Sequence, residues 1–221
     1  MRFDCVHSCE DLARLVDGIG FLPFFRSAAP GWSLEENCDP AVWFTGADGP
    51  WEWKGWLARD RRIVYGKFYR GKAAFVSLSC FPDLCNFRRD GYDFEGFAAD
   101  ALAPHNDRLL MAALQEIGPC PSKALKRRCG FTKGYDTVLT RLQMQTFVVS
   151  GDFVYDVDRQ GRPYGWGNAL LDTPERWLGE ELVNRSDAFS PEESRERIVR
   201  WLHGWMPDVP EDRLRQELRG R

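Results

Sequence analysis

HNDRLLMAALQEIGPCPSKALKRRCGFTKGYDTVLTRLQMQTFVVSGDFVYDVDRQGRPYGW, residues 105–166, is the segment that most constrains the architecture of this chain. His105–Ile117 sets Leu109, Leu110, Ala113, Leu114 and Ile117 at helical spacing, a one-sided apolar stripe. Gly118-Pro119-Cys120-Pro121 stops that helix, and Ser122 is placed to cap a second, over Lys123–Arg128. Gly130 and Gly134 flank the turn into a third, over Tyr135–Gln143, which carries Val138, Leu139 and Leu142. A β-branched and aromatic run follows over Thr146–Val157, then the turn Asp158–Pro163 with its tip at Gln160-Gly161, then a strand over Tyr164–Leu171. Helix, helix, helix, hairpin is the order of a winged helix-turn-helix, a module that most often meets a nucleic-acid duplex.

With its flanks included, the chain reads as α+β: an aromatic-rich region with a β-hairpin over residues 1–104, the winged unit over 105–178, and a helical tail over 179–221. In the first region Ser8-Cys9-Glu10-Asp11 opens a helix lined by Leu12, Leu15, Val16 and Ile19, which Gly20 ends. An irregular stretch with Pro23, Pro30, Gly31, Pro40, Gly46, Gly49 and Pro50 follows, holding Trp43, Trp51, Trp53 and Trp56. Arg62–Tyr69 and Lys72–Ser79, joined across Arg70-Gly71, form a hairpin, and Asp93–Ala103 a short helix. In the tail, Ser190-Pro191-Glu192-Glu193 starts a helix striped by Ile198, Val199, Leu202 and Trp205.

The chain has 221 residues, length for a full core in one or two domains. No apolar run approaches the roughly 18–20 residues that span a bilayer, and Met1–Cys5 lacks an apolar signal core. Seven cysteines, with no CxxC pair, read as reduced thiols in a cytoplasm. Cys5, His7 and Cys9 alternate near the terminus with no second ligand pair after them, so neither a metal nor another cofactor is expected.

The net charge of −3 argues against non-specific nucleic-acid binding, since such domains usually show a basic footprint. Its distribution differs. Between Pro119 and Gln145, Lys123, Lys126, Arg127, Arg128, Lys133 and Arg141 face a single acid, Asp136. With Arg159 and Arg162 at the wing, they are the candidate phosphate contacts; the alternative is a solvated face on an interaction module. The second candidate surface is Trp51, Trp53 and Trp56, beside Lys54, Arg59, Arg61 and Arg62. Exposed, these rings stack unpaired bases; buried, they seal the irregular stretch onto the hairpin.

Several segments carry a family resemblance: Pro50–Gly55, Tyr65–Phe68, Gly91–Phe94, Thr140–Thr146 and Gly161–Gly167. Through them the chain resembles the AlkZ-related proteins, and more distantly the AlkZ-type DNA glycosylases, winged-helix proteins that excise alkylated or crosslinked bases. In those glycosylases a Gln-x-Gln or Gln-x-Asp motif holds the attacking water; Gln143 and Gln145 are the residues here that match it. Two amides can orient a water and stabilise a cationic sugar without a covalent bond. Residues i and i+2 share a face on a strand but lie about 200° apart on a helix, so the pair requires a strand already begun at Gln143. The resemblance departs in two ways: the glycosylases are longer, with several winged helices and a β-barrel, and carry their motif near the N-terminus. The expectation is a cytoplasmic, monomeric binder of duplex DNA with no membrane contact, with monofunctional glycosylase-like activity an open question. The alternative is a non-enzymatic winged-helix regulator or protein-interaction adaptor, which needs a dimer surface that only the tail helix offers.

Overall fold

A computed structural model describes residues 5–44 and 48–219, with the side chains of Pro163, Tyr164 and Trp166 left aside. Gly46, the segment Met1–Asp4, and the Tyr164 and Trp166 side chains that carry part of the resemblance therefore lie outside the described residues.

The chain is α+β. In order it forms α1 (Cys9–Ile19), β1 (Phe21–Pro23), α2 (Leu34–Asn37), a 3-10 turn at Pro40–Val42, α3 (Pro50–Arg59), β2 (Ile63–Tyr69), β3 (Lys72–Ser77), α4 (Phe81–Arg89) and α5 (Phe94–Ala99). Then come α6 (His105–Ile117), β4 (Cys120–Pro121), α7 (Ser122–Cys129), α8 (Tyr135–Met144), β5 (Val149–Val157) and β6 (Pro163–Asp172). The chain closes with α9 (Pro174–Leu178), α10 (Glu180–Val183), α11 (Pro191–Trp205) and α12 (Glu211–Leu218). The strands make two antiparallel three-stranded sheets, ordered β1-β3-β2 and β4-β6-β5.

The apolar interior falls into two clusters. The larger joins α1, β1, α3 and the β2–β3 hairpin to α4, and takes in Ile198, Val199, Leu202, Leu214 and Leu218 from the tail. The stripe on α11 is thus spent inside the molecule. The tail completes the first core, which removes the dimer surface that a regulator was expected to use. The smaller cluster is built from Leu110, Leu114, Leu125, Val138, Leu142, Phe147 and Leu171, all within the 105–171 stretch.

Three helices followed by a hairpin occur where the pattern placed them. The wing tip turns through Asp158, whose carboxylate accepts the amides of Gln160 (2.8 Å) and Arg162 (2.9 Å), while Gly161 supplies φ +78°. Ser122 is not the cap of α7. Pro121 is, because it is still extended where it pairs with Leu170, and Ser122 becomes the first helical residue, bonded to the Tyr135 hydroxyl at 3.0 Å.

Residues 50–59 depart most from the sequence pattern. They form a helix, not a loop, since Pro50 sits in the first turn, where its fixed φ suits a helix and its missing N–H costs nothing. On that helix Trp53 is buried, with its indole N–H donated to Asp48 at 2.6 Å. Trp51 packs 5.1 Å from Phe24 and 6.0 Å from Phe25, ring centre to ring centre, and Trp56 lies half-buried on the same core. The tryptophans seal; they do not form an exposed stacking platform. The β2–β3 turn is as expected, with Arg70 (φ +50°) and Gly71 (φ +73°) left-handed in succession.

Candidate nucleic-acid interface

The two cores meet where α8 and β5 pack on β2, and an open cleft of about 890 Å³ lies at this seam. Tyr65 and Phe153 form its aromatic wall, edge to face with ring centres 5.7 Å apart. Burial pushes the Tyr65 phenol up, which keeps it a neutral hydroxyl. Gly66 and Gly167 present bare backbone to the cleft, and a Cβ on Gly167 would come within 3.0 Å of Tyr155. Lys67, Lys72 and Lys123 supply cations, and Asp136 and Asp156 carboxylates. Lys67 donates to the Thr140 hydroxyl at 3.1 Å and, like Lys72, makes no ion pair among the described residues.

Of the two candidate glutamines, Gln143 is the one that lines this space. Buried near the end of α8, it accepts the Lys67 amide at 3.3 Å and donates to the Ser150 hydroxyl at 3.0 Å, so it ties α8 to both sheets. Each contact uses half of what the amide offers, leaving one lone pair and one N–H. Gln145 points elsewhere. It is the residue after α8, it does not line the cleft, and its buried side-chain oxygen Oε1 has no hydrogen-bond partner among the described residues. The helix runs to Met144 and the strand starts only at Val149, so the shared face that the two glutamines require is not formed.

A clamp that the pattern did not reveal fixes this helix end. Thr146 follows at φ +64°, a left-handed conformation that a β-branched residue takes at a cost of about 1–3 kcal/mol. Arg89 holds it, with Nε 3.1 Å from the Thr146 hydroxyl and Nη2 2.8 Å from its carbonyl, and a third bond goes to Glu175 at 2.6 Å. Arg88 reaches the Met144 carbonyl at 3.3 Å, and its burial lowers the guanidinium to about 10. Two cations thus stand at the negative end of α8. The signal available in the sequence was the adjacent pair Arg88-Arg89 at the end of a helix that also carries Phe81, Leu84, Cys85 and Phe87.

The basic segment is less free than its composition suggests. Lys123 pairs with Asp156 at 2.9 Å, Arg128 with Glu116 at 2.6 Å and Arg162 with Asp158 at 2.9 Å. Arg141 is bound through Nε, at 2.8 Å, and Nη2 to Asp107, a carboxylate with no solvent exposure. It belongs to the small core. Lys126, whose amine lies 5.9 Å from the Tyr135 ring centre, remains exposed with Arg127, Lys133 and Arg159, and these four make no ion pair among the described residues. The cleft-facing end of α7 is Ser122-Lys123, and Lys126 and Arg127 continue outward from it along one helical face. The C-terminal half of α8 is covered, because the β2–β3 turn sets Gly71 against Thr140 and Met144. Only its first turn, with Asp136 and Thr137, stays exposed.

Among the described residues no group of three or more histidines, cysteines or acids is placed to hold a metal ion, and no helix is long and apolar enough to cross a membrane. The profile of the AlkZ-related family matches residues 6–219. The chain belongs to that family. No curated protein and no solved structure matches it.

Proposed function

We propose that this AlkZ-related protein binds duplex DNA through the exposed bases of its 105–172 unit, acting as a winged helix, and receives an unstacked base in the adjoining cleft. The observation that carries the reading is the junction itself. A largely apolar cleft walled by Tyr65 and Phe153 opens beside an α7 whose outer face bears Lys126 and Arg127. Phosphate contacts give affinity without sequence information, and Lys126, Arg127, Lys133 and Arg159 suit that role. With half of α8 covered by the hairpin, reading of the major groove is confined to its first turn, whereas a base turned out of the stack meets rings and backbone. Relation to the AlkZ-type glycosylases supports a lesion-bearing duplex as the ligand. In this reading Gln143 alone, of the two glutamines, faces the base.

Fluorescence anisotropy with two labelled duplexes tests this, one fully paired and one carrying a single bulged purine. The bulged duplex should bind about tenfold tighter, and Phe153→Ala should remove that preference while leaving the paired duplex unaffected. Equal affinities would reduce the cleft to a structural seam. Release of 7-methylguanine from an alkylated duplex, abolished in Gln143→Ala, would add hydrolysis to binding.

A further inference from the structure

Lys54 is a buried amine that the proposed binding surface does not use. It lies on the inner face of α3, 8% exposed, where its Nζ donates to the Trp51 carbonyl. The same Nζ sits 4.4 Å from the centre of the Phe153 ring and 5.4 Å from that of Trp51. No carboxylate comes within ion-pair distance among the described residues; Glu52 acts only at longer range. Burial lowers the ammonium to about 8, so about a tenth of it is neutral at pH 7, far more than for an exposed lysine. An unpaired ammonium in an aromatic interior is costly, and such groups concentrate at functional sites.

Phe153 links this amine to the cleft. Its ring lines the cleft beside Tyr65 and also covers Lys54, so one aromatic side chain separates the nucleophile from the open space. Two glycines flank Phe153. A Cβ on Gly55 would come within 3.2 Å of its ring, and one on Gly167 within 3.1 Å of its Cβ, so larger residues at either position would crowd it.

We propose that Lys54 forms a Schiff base with the ring-opened deoxyribose of an abasic nucleotide in the cleft, the Phe153 ring turning aside to admit it. This rests on reading the cleft as the place where a nucleotide enters. The neutral amine gives its lone pair to C1 of the sugar aldehyde, forming a C–N bond while the carbonyl π pair becomes an alkoxide. That oxygen takes up two protons, one lost by the nitrogen and one from solvent, and departs as water. A protonated nitrogen is not needed for the product: an imine between Lys54 and C1 remains once the second nitrogen proton returns to solvent, and addition of water reverses the sequence.

Borohydride trapping on the full-length chain tests the proposal with two probes. The first is 2-deoxyribose 5-phosphate, read by intact mass and peptide mapping; the second is a duplex with one abasic site, read as a covalent band on a denaturing gel. The reduced adduct should map to Lys54, and its yield should rise about fiftyfold between pH 6 and pH 8, as the amine loses its proton. Lys54→Arg, which keeps the cation over the ring but not the nucleophile, should lose the adduct with both probes. An adduct mapping to another lysine overturns the proposal, as does no adduct with either probe while the abasic duplex binds by anisotropy. Trapping of the free sugar at Lys54 without duplex binding would keep the amine's role and sink the DNA reading, so the two failures are distinguishable. Mapping on the wild-type chain identifies the reacting lysine even where a variant fails to fold.

Discussion

In the larger core Trp32 packs on Phe21, Phe24 on Phe75 and Phe68 on Phe81, with Trp53 buried among them, whereas the smaller core has leucines at its centre and the Arg141–Asp107 ion pair at its edge. The first spends its aromatic residues on cohesion and buries an unpaired lysine. The second leaves much of its charge on the surface and pairs part of it internally. The cleft lies where these two characters meet: β2 and β3 of the large unit bring Tyr65, Lys67 and Lys72 to it, and the small unit brings Phe153 on β5 and Lys123 on α7.

This division of labour can be attacked from either side. Trp53→Ala should cost the most, about 3–5 kcal/mol by chemical denaturation, because a wholly buried indole leaves a cavity and Asp48 loses its donor. Arg141→Ala should cost about 3 kcal/mol by stranding the buried Asp107 carboxylate, and Arg141→Met with Asp107→Leu should recover most of it. A large loss of duplex affinity in Arg141→Ala without loss of stability would return that residue to the binding surface.

Lys54→Met should act in the opposite direction, stabilising the protein by roughly 2 kcal/mol at pH 7. The folded amine titrates at about 8, below its unfolded value of 10.5, so below pH 8 the wild type carries the full penalty of a buried charge. Between those values the native state sheds the proton that the unfolded chain keeps. The wild type therefore gains stability as pH rises, and the advantage of Lys54→Met should shrink across that window. Melting curves at pH 7 and pH 10 check this; a gap that widened with pH would show that the ammonium is favourably held. The smallest effect on folding belongs to Arg127→Glu with Lys133→Glu, within about 0.5 kcal/mol, since both are exposed and unpaired among the described residues. Those two substitutions should nevertheless lower duplex affinity at least tenfold.

What the sequence made legible follows the same division. In residues 105–172 each element carries its own periodicity and its own stop, so α6, α8 and the wing hairpin could be placed from local rules. Residues 50–59 misled because Gly49, Pro50 and Gly55 look like loop punctuation, while the helix is set by burial of Trp53, Leu57 and Ala58 against strands distant in the chain. The tail helix showed its stripe but not its destination, because what covers Ile198 and Leu202 is α4 and α1, over a hundred residues earlier. At the site, the basic residues were visible and their partners were not: Asp107 and Glu116 belong to α6, and Asp156 to the wing. Lys67, Tyr65 and Phe153 come together only through the meeting of the two sheets, which no spacing rule reports.

Whether the small unit offers its free cations to a duplex is decided by titrating a labelled 20-base-pair duplex with the full chain across a salt series. Four free bases imply about four phosphate contacts, hence a log–log slope of affinity against salt near −3.5, reduced by about 2 in the Arg127→Glu, Lys133→Glu protein. An affinity weaker than roughly 100 µM at 50 mM salt, or a slope unchanged by that double substitution, would mean that these bases do not hold DNA.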